Sequence, residues 1–328
     1  ALRRFWKDEF MVDWKPSASL QNLQQRAYVL AKIRRFFSER AVLEVETPLL
    51  ASSTVPDVYI ESIAAQVVEG NSSRKNFLQT SPEFFMKRLL ASGSGSIYQI
   101  AKAFRQEEKG ARHNIEFTLL EWYRLSYSLD QLMAELEELI QEVLDCGPIS
   151  RLSYREIFQQ HLQIDPHEIL LEELQQLASS EIDLSGSNLS KTDYLQLLLS
   201  NSIEPKLPPF CIIYDYPSEQ AALATVATDE HGVVVAKRFE LFGHGMELAN
   251  GYFELSDATE QRARFEKDNA ARKEKGLQAH DADEKLIAAL ESGLPSCSGV
   301  AVGVDRLLML LVDAKHISEV ISFDSERV

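Results

Sequence analysis

Three stretches far apart in the sequence carry residue types that can do chemistry. The first is a pair of β-capable runs, 97–107 and 114–123, joined by the charged turn EKGAR at 108–112. Side chains alternate across a strand, so Arg105 and Glu107 share one side of the first run, while Phe117, Glu121 and Tyr123 share one face of the second. A guanidinium, two carboxylates, an aromatic plane and a phenol on one solvated face suit an anionic, planar, amine-bearing ligand. Arginine would take phosphate or carboxylate, the ring would stack, and the carboxylates would hold ammonium groups. Taken alone, the same residues also make an ordinary salt-bridged outer sheet face.

The second stretch, GVAVGVDRL at 299–307, places Gly299 and Gly303 four apart ahead of Arg306. Glycines let backbone approach a ligand, and an arginine in the first turn of a helix can meet a phosphate, although such a turn also serves plain packing. It lacks the Gly-Lys-Ser/Thr of a P-loop. The third, FELFGHGMELANGYFEL at 239–255, spaces Glu240, Glu247 and Glu254 seven apart. These carboxylates suit a divalent metal or an ammonium, or are incidental on a solvated strand. On an unbroken strand a seven-residue step alternates faces, so convergence requires the turn at Gly243–Gly245 and a bulge or break near Gly251.

The elements that must position these residues follow from periodicity. Residues 20–40 read as a helix with Ser19 as N-cap, followed by a β-type run over 42–50 interrupted at Pro48. Residues 129–144 form the clearest amphipathic helix, with one apolar stripe opposed by acidic residues. Short helical patterns at 168–178 and 192–200 suggest a helical insertion over about 150–209. Strands are expected over 210–216 and 233–254, then a polar helix over 257–275 opened by a capping-box spacing, Asp257 with Glu260, and a buried helix over 303–311. This order lacks the alternation of a doubly wound parallel sheet, so the expected fold class is α+β, a mainly antiparallel sheet with helices outside.

Composition narrows the function. The formal charge of −16 opposes non-specific attraction to phosphate backbones. Three cysteines, Cys146, Cys211 and Cys297, fit neither a disulfide framework nor a zinc site, so a reducing compartment is expected. No apolar run reaches the ~18 residues of a membrane span, and the first residues lack a signal-peptide pattern.

The three stretches occur in the order of a known set. FRQE at 104–107, with His113 and then Phe117, resembles motif 2 of the class II aminoacyl-tRNA synthetases; GVAVGVDR at 299–306 resembles motif 3; and the helix ending in RAVLEVETP, with Pro48, resembles motif 1. TSPE at 80–83, HNIEFTLLEWY at 113–123 and ELANGYFEL at 247–255 are similar to the lysyl-tRNA synthetase branch, and the likeness spans about residues 18–328. Lysyl-tRNA synthetases carry an anticodon-binding OB-fold ahead of this core, whereas only some 18 residues precede the motif 1 helix here. The chain therefore resembles the freestanding paralogues that ligate (R)-β-lysine to a lysine of elongation factor P. One departure supports that branch: the lysyl-tRNA synthetase pattern GxGxGxxR has Ala301 at its middle glycine here, and the extra methyl is expected to disfavour α-lysine.

The resemblance implies a role for each matching position. Arg105 and Arg306 would be catalytic, Arg105 on the α-phosphate and substrate carboxylate. Glu107 would contact the adenine or the amino group, His113 the γ-phosphate and Asn114 the adenine region. Phe117 and Arg306 would sandwich the purine, with Gln106 and Leu248 also at the nucleotide and Gly303 permitting its close approach. Glu240 and Glu247 would hold Mg²⁺ on the ATP triphosphate. Ser81, Pro82, Glu83, Glu121, Tyr123, Asn250, Glu254 and Ala301 would line the amino-acid pocket, with Glu121 and Glu254 on the distal ammonium. The resemblance further implies an N-terminal extension over 1–17, one catalytic domain over 18–328, a homodimer through motif 1, a cytoplasmic location, and no membrane or tRNA partner. Two alternatives stay open: a core that activates α-lysine for tRNA or another carrier, and a non-catalytic synthetase-like regulatory subunit.

Overall fold

The computed structural model describes residues 14–106, 108–182 and 189–328. The N-terminal half runs α1 (Leu20–Glu39), β1 (Leu43–Glu44), β2 (Leu50–Ala51), β3 (Ala64–Glu69), β4 (Ser72–Leu78), α2 (Glu83–Ala91), β5 (Ile97–Phe104), β6 (Glu116–Leu125) and α3 (Leu129–Leu144). It continues through β7 (Ser150–Ser153), α4 (Tyr154–Leu162), α5 (Leu171–Glu181) and α6 (Lys191–Leu198). The remainder is β8 (Phe210–Pro217), β9 (Val226–Thr228), β10 (Val234–Gly243), β11 (Met246–Phe253), α7 (Ala258–Glu274), α8 (Glu284–Glu291), β12 (Cys297–Gly303) and α9 (Val304–Leu311).

The main sheet has the order β1-β5-β6-β12-β11-β10-β8-β7, with β9 beside β10; only β1–β5 and β7–β8 pair in parallel. The fold is thus α+β with a mainly antiparallel sheet. A smaller sheet has the order β2-β4-β3. On one face of the main sheet, α1, α3 and α9 pack their apolar stripes over Trp122, Val300 and Phe239. Removing side chains of this size from water stabilises by about 1.5–3 kcal/mol each, which fixes the register of the strands beneath. The opposite face of the central strands lines a cleft.

Helix starts match local chemistry. The Ser19 hydroxyl accepts from the Asn22 amide at the start of α1, and Ser128 with Gln131 closes a full capping box on α3. At α7 only half of the expected box forms: Asp257 accepts from the Glu260 amide, but the Glu260 carboxylate turns to Arg264.

Three sequence expectations shift. β5 ends at Phe104 rather than 107, because the Gln106 amide donates to the Glu61 carbonyl at 2.8 Å and leaves the ladder. The insertion opens with a strand, β7, laid parallel on β8, and its first helix is α4. The helical pattern at 168–178 is displaced to Leu171–Glu181, while that at 192–200 begins one residue earlier, at Lys191.

Candidate active site

Cross-strand partners share a face, so the cleft floor can be read from register. One row runs Gln99–Glu121–Ala301–Asn250–Glu240 across β5, β6, β12, β11 and β10. The next row runs Ile97–Tyr123–Gly299–Tyr252–Arg238. Gly299 is required by this packing: a Cβ there would lie closer than 3.0 Å to the Tyr123 ring and the Glu254 carboxylate. At Gly303 an added Cβ meets nothing nearer than 3.6 Å, so the fold itself leaves that face of the backbone open to the cleft. Ala301 sits between Glu121 and Asn250, with its methyl on the floor.

Of the three seven-spaced glutamates, Glu240 and Glu254 line the cleft without any break near Gly251. The irregularity lies instead at Leu248, where Leu241 pairs with Ala249 but Phe242 pairs with Glu247. That extra residue turns Glu247 back to the cleft. Gly251 answers a different demand, since a Cβ there would strike the Phe239 ring in the core.

One end of the cleft is a buried charge cluster. The Lys87 ammonium lies 2.7 Å from both the Glu83 and Glu254 carboxylates, with its side chain 1% exposed. Beside it the Tyr123 hydroxyl donates to Glu121 Oε1 at 2.7 Å, while Glu121 Oε2 is buried without a partner. Burial and the neighbouring Glu83 charge push the Glu121 carboxyl up to about 8, against the hydrogen bond from Tyr123. Burial likewise raises Glu254 to about 7, with Lys87 opposing. Asn250 Oδ1 is a second buried acceptor left unpaired. An ammonium group would satisfy these acceptors.

The other end is cationic and more open. The Arg306 guanidinium donates to the Glu247 carbonyl at 2.7 Å and lies 2.8 Å from His113 Nε2. Partial burial and the Arg306 charge lower the basicity of His113. Arg105 pairs with Glu108 at 3.1 Å, and its guanidinium lies 5.1 Å from the centre of the Phe117 ring. Arg105 and Arg306 line the same cleft, of about 540 Å³, as do Glu83, Glu121 and Glu254.

The family model for tRNA synthetases class II (D, K and N) matches residues 4–327. The chain belongs to this class II synthetase family. Its similarity extends to proteins named elongation factor P–(R)-β-lysine ligase from Salmonella paratyphi B, Salmonella schwarzengrund and Salmonella choleraesuis. Each is 47% identical over 325 residues, covering 96% of this chain and 98% of the relative.

Against the class II expectations, the structure gathers Arg105, His113, Asn114, Phe117, Glu247, Leu248, Gly303 and Arg306 on one cleft wall system with Ser81, Glu83, Glu121, Tyr123, Asn250, Glu254, Ala301 and Glu240. Gln106 and Pro82 do not line it, and Glu107 lies outside the described residues. Phe117 and Arg306 both line the cleft; the Phe117 ring lies beside Arg105, and Arg306 is engaged by Glu247 and His113. The Asn114 side chain serves the fold, donating to the Glu116 carbonyl and accepting from the Ser325 amide. Glu240 is committed as well, to the Tyr216 hydroxyl at 2.8 Å and to Arg238; burial raises it to about 7 despite that arginine. Among the described residues no group of three or more His, Cys, Asp or Glu side chains closes around a metal position.

Sequence reasoning missed Lys87, Arg238 and Arg26. Arg238 is held between the Tyr216 and Tyr252 rings, at 4.6 and 5.5 Å. Arg26 ties the motif 1 helix to both other motifs, donating to Asp305 and to the Thr118 hydroxyl, each at 2.5 Å. The Thr118 amide also donates to Asp305, so the residue before Arg306 is locked from two elements. Only Lys87 left a trace, the four-residue spacing from Glu83 on one helix.

Proposed function

We propose that the cleft joins (R)-β-lysine to ATP as an acyl-adenylate and passes the acyl group to the ε-amine of a lysine on elongation factor P. The carrying observation is that a single cleft has the two arginines at one end and, at the other, a buried carboxylate with an unused lone pair, Glu121 Oε2. A diamino acid with its carboxylate toward the arginines and its distal ammonium on Glu121 and Glu254 satisfies both ends. Ala301 on the floor between Glu121 and Asn250 supports the β-isomer over the α-isomer, and the names of the relatives support the acceptor.

In the first half-reaction a carboxylate oxygen of the amino acid attacks the α-phosphorus in line, and pyrophosphate leaves. The chain supplies positioning and charge neutralisation through Arg105 and Arg306, with no protein nucleophile. Mg²⁺ bound with the triphosphate would supply neutralisation of the charge that builds on the pyrophosphate leaving group. Glu247, on the cleft, would hold it, since such ions take one or two carboxylates plus substrate phosphates. Glu240 would have to release Tyr216 or Arg238 to join it. In the second half-reaction the neutral acceptor amine attacks the carbonyl carbon, the amide bond forms, AMP leaves and the amine's proton goes to solvent or a nearby base.

Residues 18–328 form the catalytic domain in this reading, with 1–17 as an extension. The functional unit is a cytoplasmic homodimer: Leu20 and Tyr28 on α1, with Leu43, Leu49 and Leu50 after it, are exposed apolar residues in the motif 1 region. No helix among the described residues is long and apolar enough to cross a membrane.

The decisive experiment is mass spectrometry of elongation factor P after incubation with the enzyme, ATP and each lysine isomer. An adduct formed with (R)-β-lysine is expected; absence of any adduct overturns the proposal. The same ammonium pocket also suits the ε-ammonium of α-lysine. Pyrophosphate exchange with both isomers decides, and a preference for α-lysine selects the tRNA- or carrier-charging alternative.

A further inference from the structure

We propose that Lys87 is a positioning residue for substrate selection: its buried ammonium fixes Glu83 and Glu254 and cancels one carboxylate, leaving a pocket whose remaining charge matches a ligand with two ammonium groups. The proposal rests on the reading that the cleft activates a diamino acid.

A lysine four residues after a glutamate on a helix ordinarily forms a solvated pair contributing a few tenths of a kcal/mol. Here α2 turns Met86, Lys87 and Leu90 inward, and the ammonium leaves water altogether. Burying an ion costs several kcal/mol unless partners compensate, and two carboxylates at 2.7 Å do so. A purely structural pair would be complete with one of them. The surplus lies on the cleft side, where Glu83, Glu121 and Glu254 face one ammonium and Glu121 Oε2 has no partner. Other ionisable groups facing the cluster are the Tyr123 phenol on β6, the Tyr252 phenol on β11 and the Cys297 thiol on β12. Burial and neighbouring carboxylates hold both phenols well above their ordinary value, and burial with Glu254 pushes Cys297 up to about 12, so all three stay neutral. The charge met by a ligand is therefore set by three glutamates and Lys87.

The test uses the full chain with Lys87→Met and Lys87→Arg, measuring ATP–pyrophosphate exchange and the KM for (R)-β-lysine as a function of pH. Without the ammonium, the carboxylates keep their protons to higher pH. Lys87→Met should therefore move the midpoint of the amino-acid KM profile upward by ~1–3 units, while the KM for ATP stays near wild type. Lys87→Arg keeps the charge and should keep the wild-type midpoint even where affinity falls. An unmoved midpoint in Lys87→Met, an equal rise in the KM for ATP, or a displaced midpoint in Lys87→Arg overturns the proposal. Should Lys87→Met not fold, the Lys87→Arg midpoint alone decides. Failure of the underlying reading shows separately, as wild-type enzyme that exchanges pyrophosphate with no diamino acid.

Discussion

At the carboxylate end of the cleft Lys87 is buried between Glu83 and Glu254, Tyr123 donates to Glu121, and the buried acceptors Glu121 Oε2 and Asn250 Oδ1 lack a partner that a cation would supply. At the end assigned to phosphate, Arg306 contacts His113 and Glu247, Arg105 pairs with Glu108, and the Arg105 guanidinium lies 5.1 Å from the centre of the Phe117 ring. The first region is preorganised, so it can select. The second must exchange protein contacts for phosphate contacts, so binding ATP should be coupled to side-chain movement there. Selectivity and rate are thereby assigned to different ends.

The largest break should come from the rate end. Arg306→Ala removes the only cation anchored by the motif 3 helix, while Asp305 stays locked by Arg26 and Thr118. Pyrophosphate exchange should fall by ~10²–10³-fold, the range for losing a preorganised donor at a developing charge, with no change in oligomeric state by light scattering. Near-normal exchange would remove Arg306 from the chemistry.

Glu121→Gln tests the selecting end. Hydrogen bonds to charged groups contribute about 1.5–3 kcal/mol, so the KM for the diamino acid should rise by ~10–150-fold with little change in the KM for ATP. It also sharpens a pH argument. Glu121 is raised to about 8 from an ordinary 4.5 in the ligand-free fold, so between those values the native state holds more protons than the unfolded chain. Its favourable contribution to stability is therefore fully present at low pH and lost as pH rises through about 8, while affinity for a cation grows over the same range. Ligand-free wild type should lose Tm from pH 6 to 8.5 more steeply than Glu121→Gln; parallel slopes would deny the shifted carboxyl.

The legibility of the two ends in sequence also differs. Arg105, Phe117 and Arg306 were readable because motif spacing carries them, and the helices 20–39, 129–144 and 304–311 because each buries one periodic stripe. The carboxylate end was half readable. Glu121 and Tyr123 follow from strand parity, but Lys87 does not, because a lysine on a short helix reads as solvated until tertiary packing turns it inward. The bulge at Leu248 was misplaced to Gly251 for a similar reason: the glycine signal was real but answered the Phe239 ring on the other face. Arg238 and Glu240 share a face by strand parity, but the hydrogen bond from Tyr216 to Glu240 depends on register across β8 and β10, which no local pattern reports.

Ala301→Gly probes the floor between the two ends. It removes one methyl between Glu121 and Asn250, and a change of that size in a pocket contributes about 1–3 kcal/mol. The ratio of exchange rates for α-lysine and (R)-β-lysine should move about tenfold toward α-lysine, at the low end of that range because the floor is partly open. An unchanged ratio would place isomer selection in Glu83 or Asn250 instead.

The smallest effect is expected where the insertion reaches over the cleft. The Tyr59 hydroxyl donates to Asp193 on α6 at 2.6 Å, and Lys275 at the end of α7 lies 4.7 Å from the Tyr59 ring. Both partners are near solvent, so the bond contributes at most ~1.5 kcal/mol. Tyr59→Phe keeps the ring and its contact with Lys275 but removes one hydrogen bond to Asp193, which still accepts from the Ser190 amide and hydroxyl. Amide exchange around α6 should therefore quicken a few-fold, while pyrophosphate exchange, whose groups lie on the sheet floor and α9, stays near wild type. Loss of exchange activity in this variant would mean that the insertion governs closure over ATP, and the division between a selecting end and a rate-setting end would then need a third, moving part.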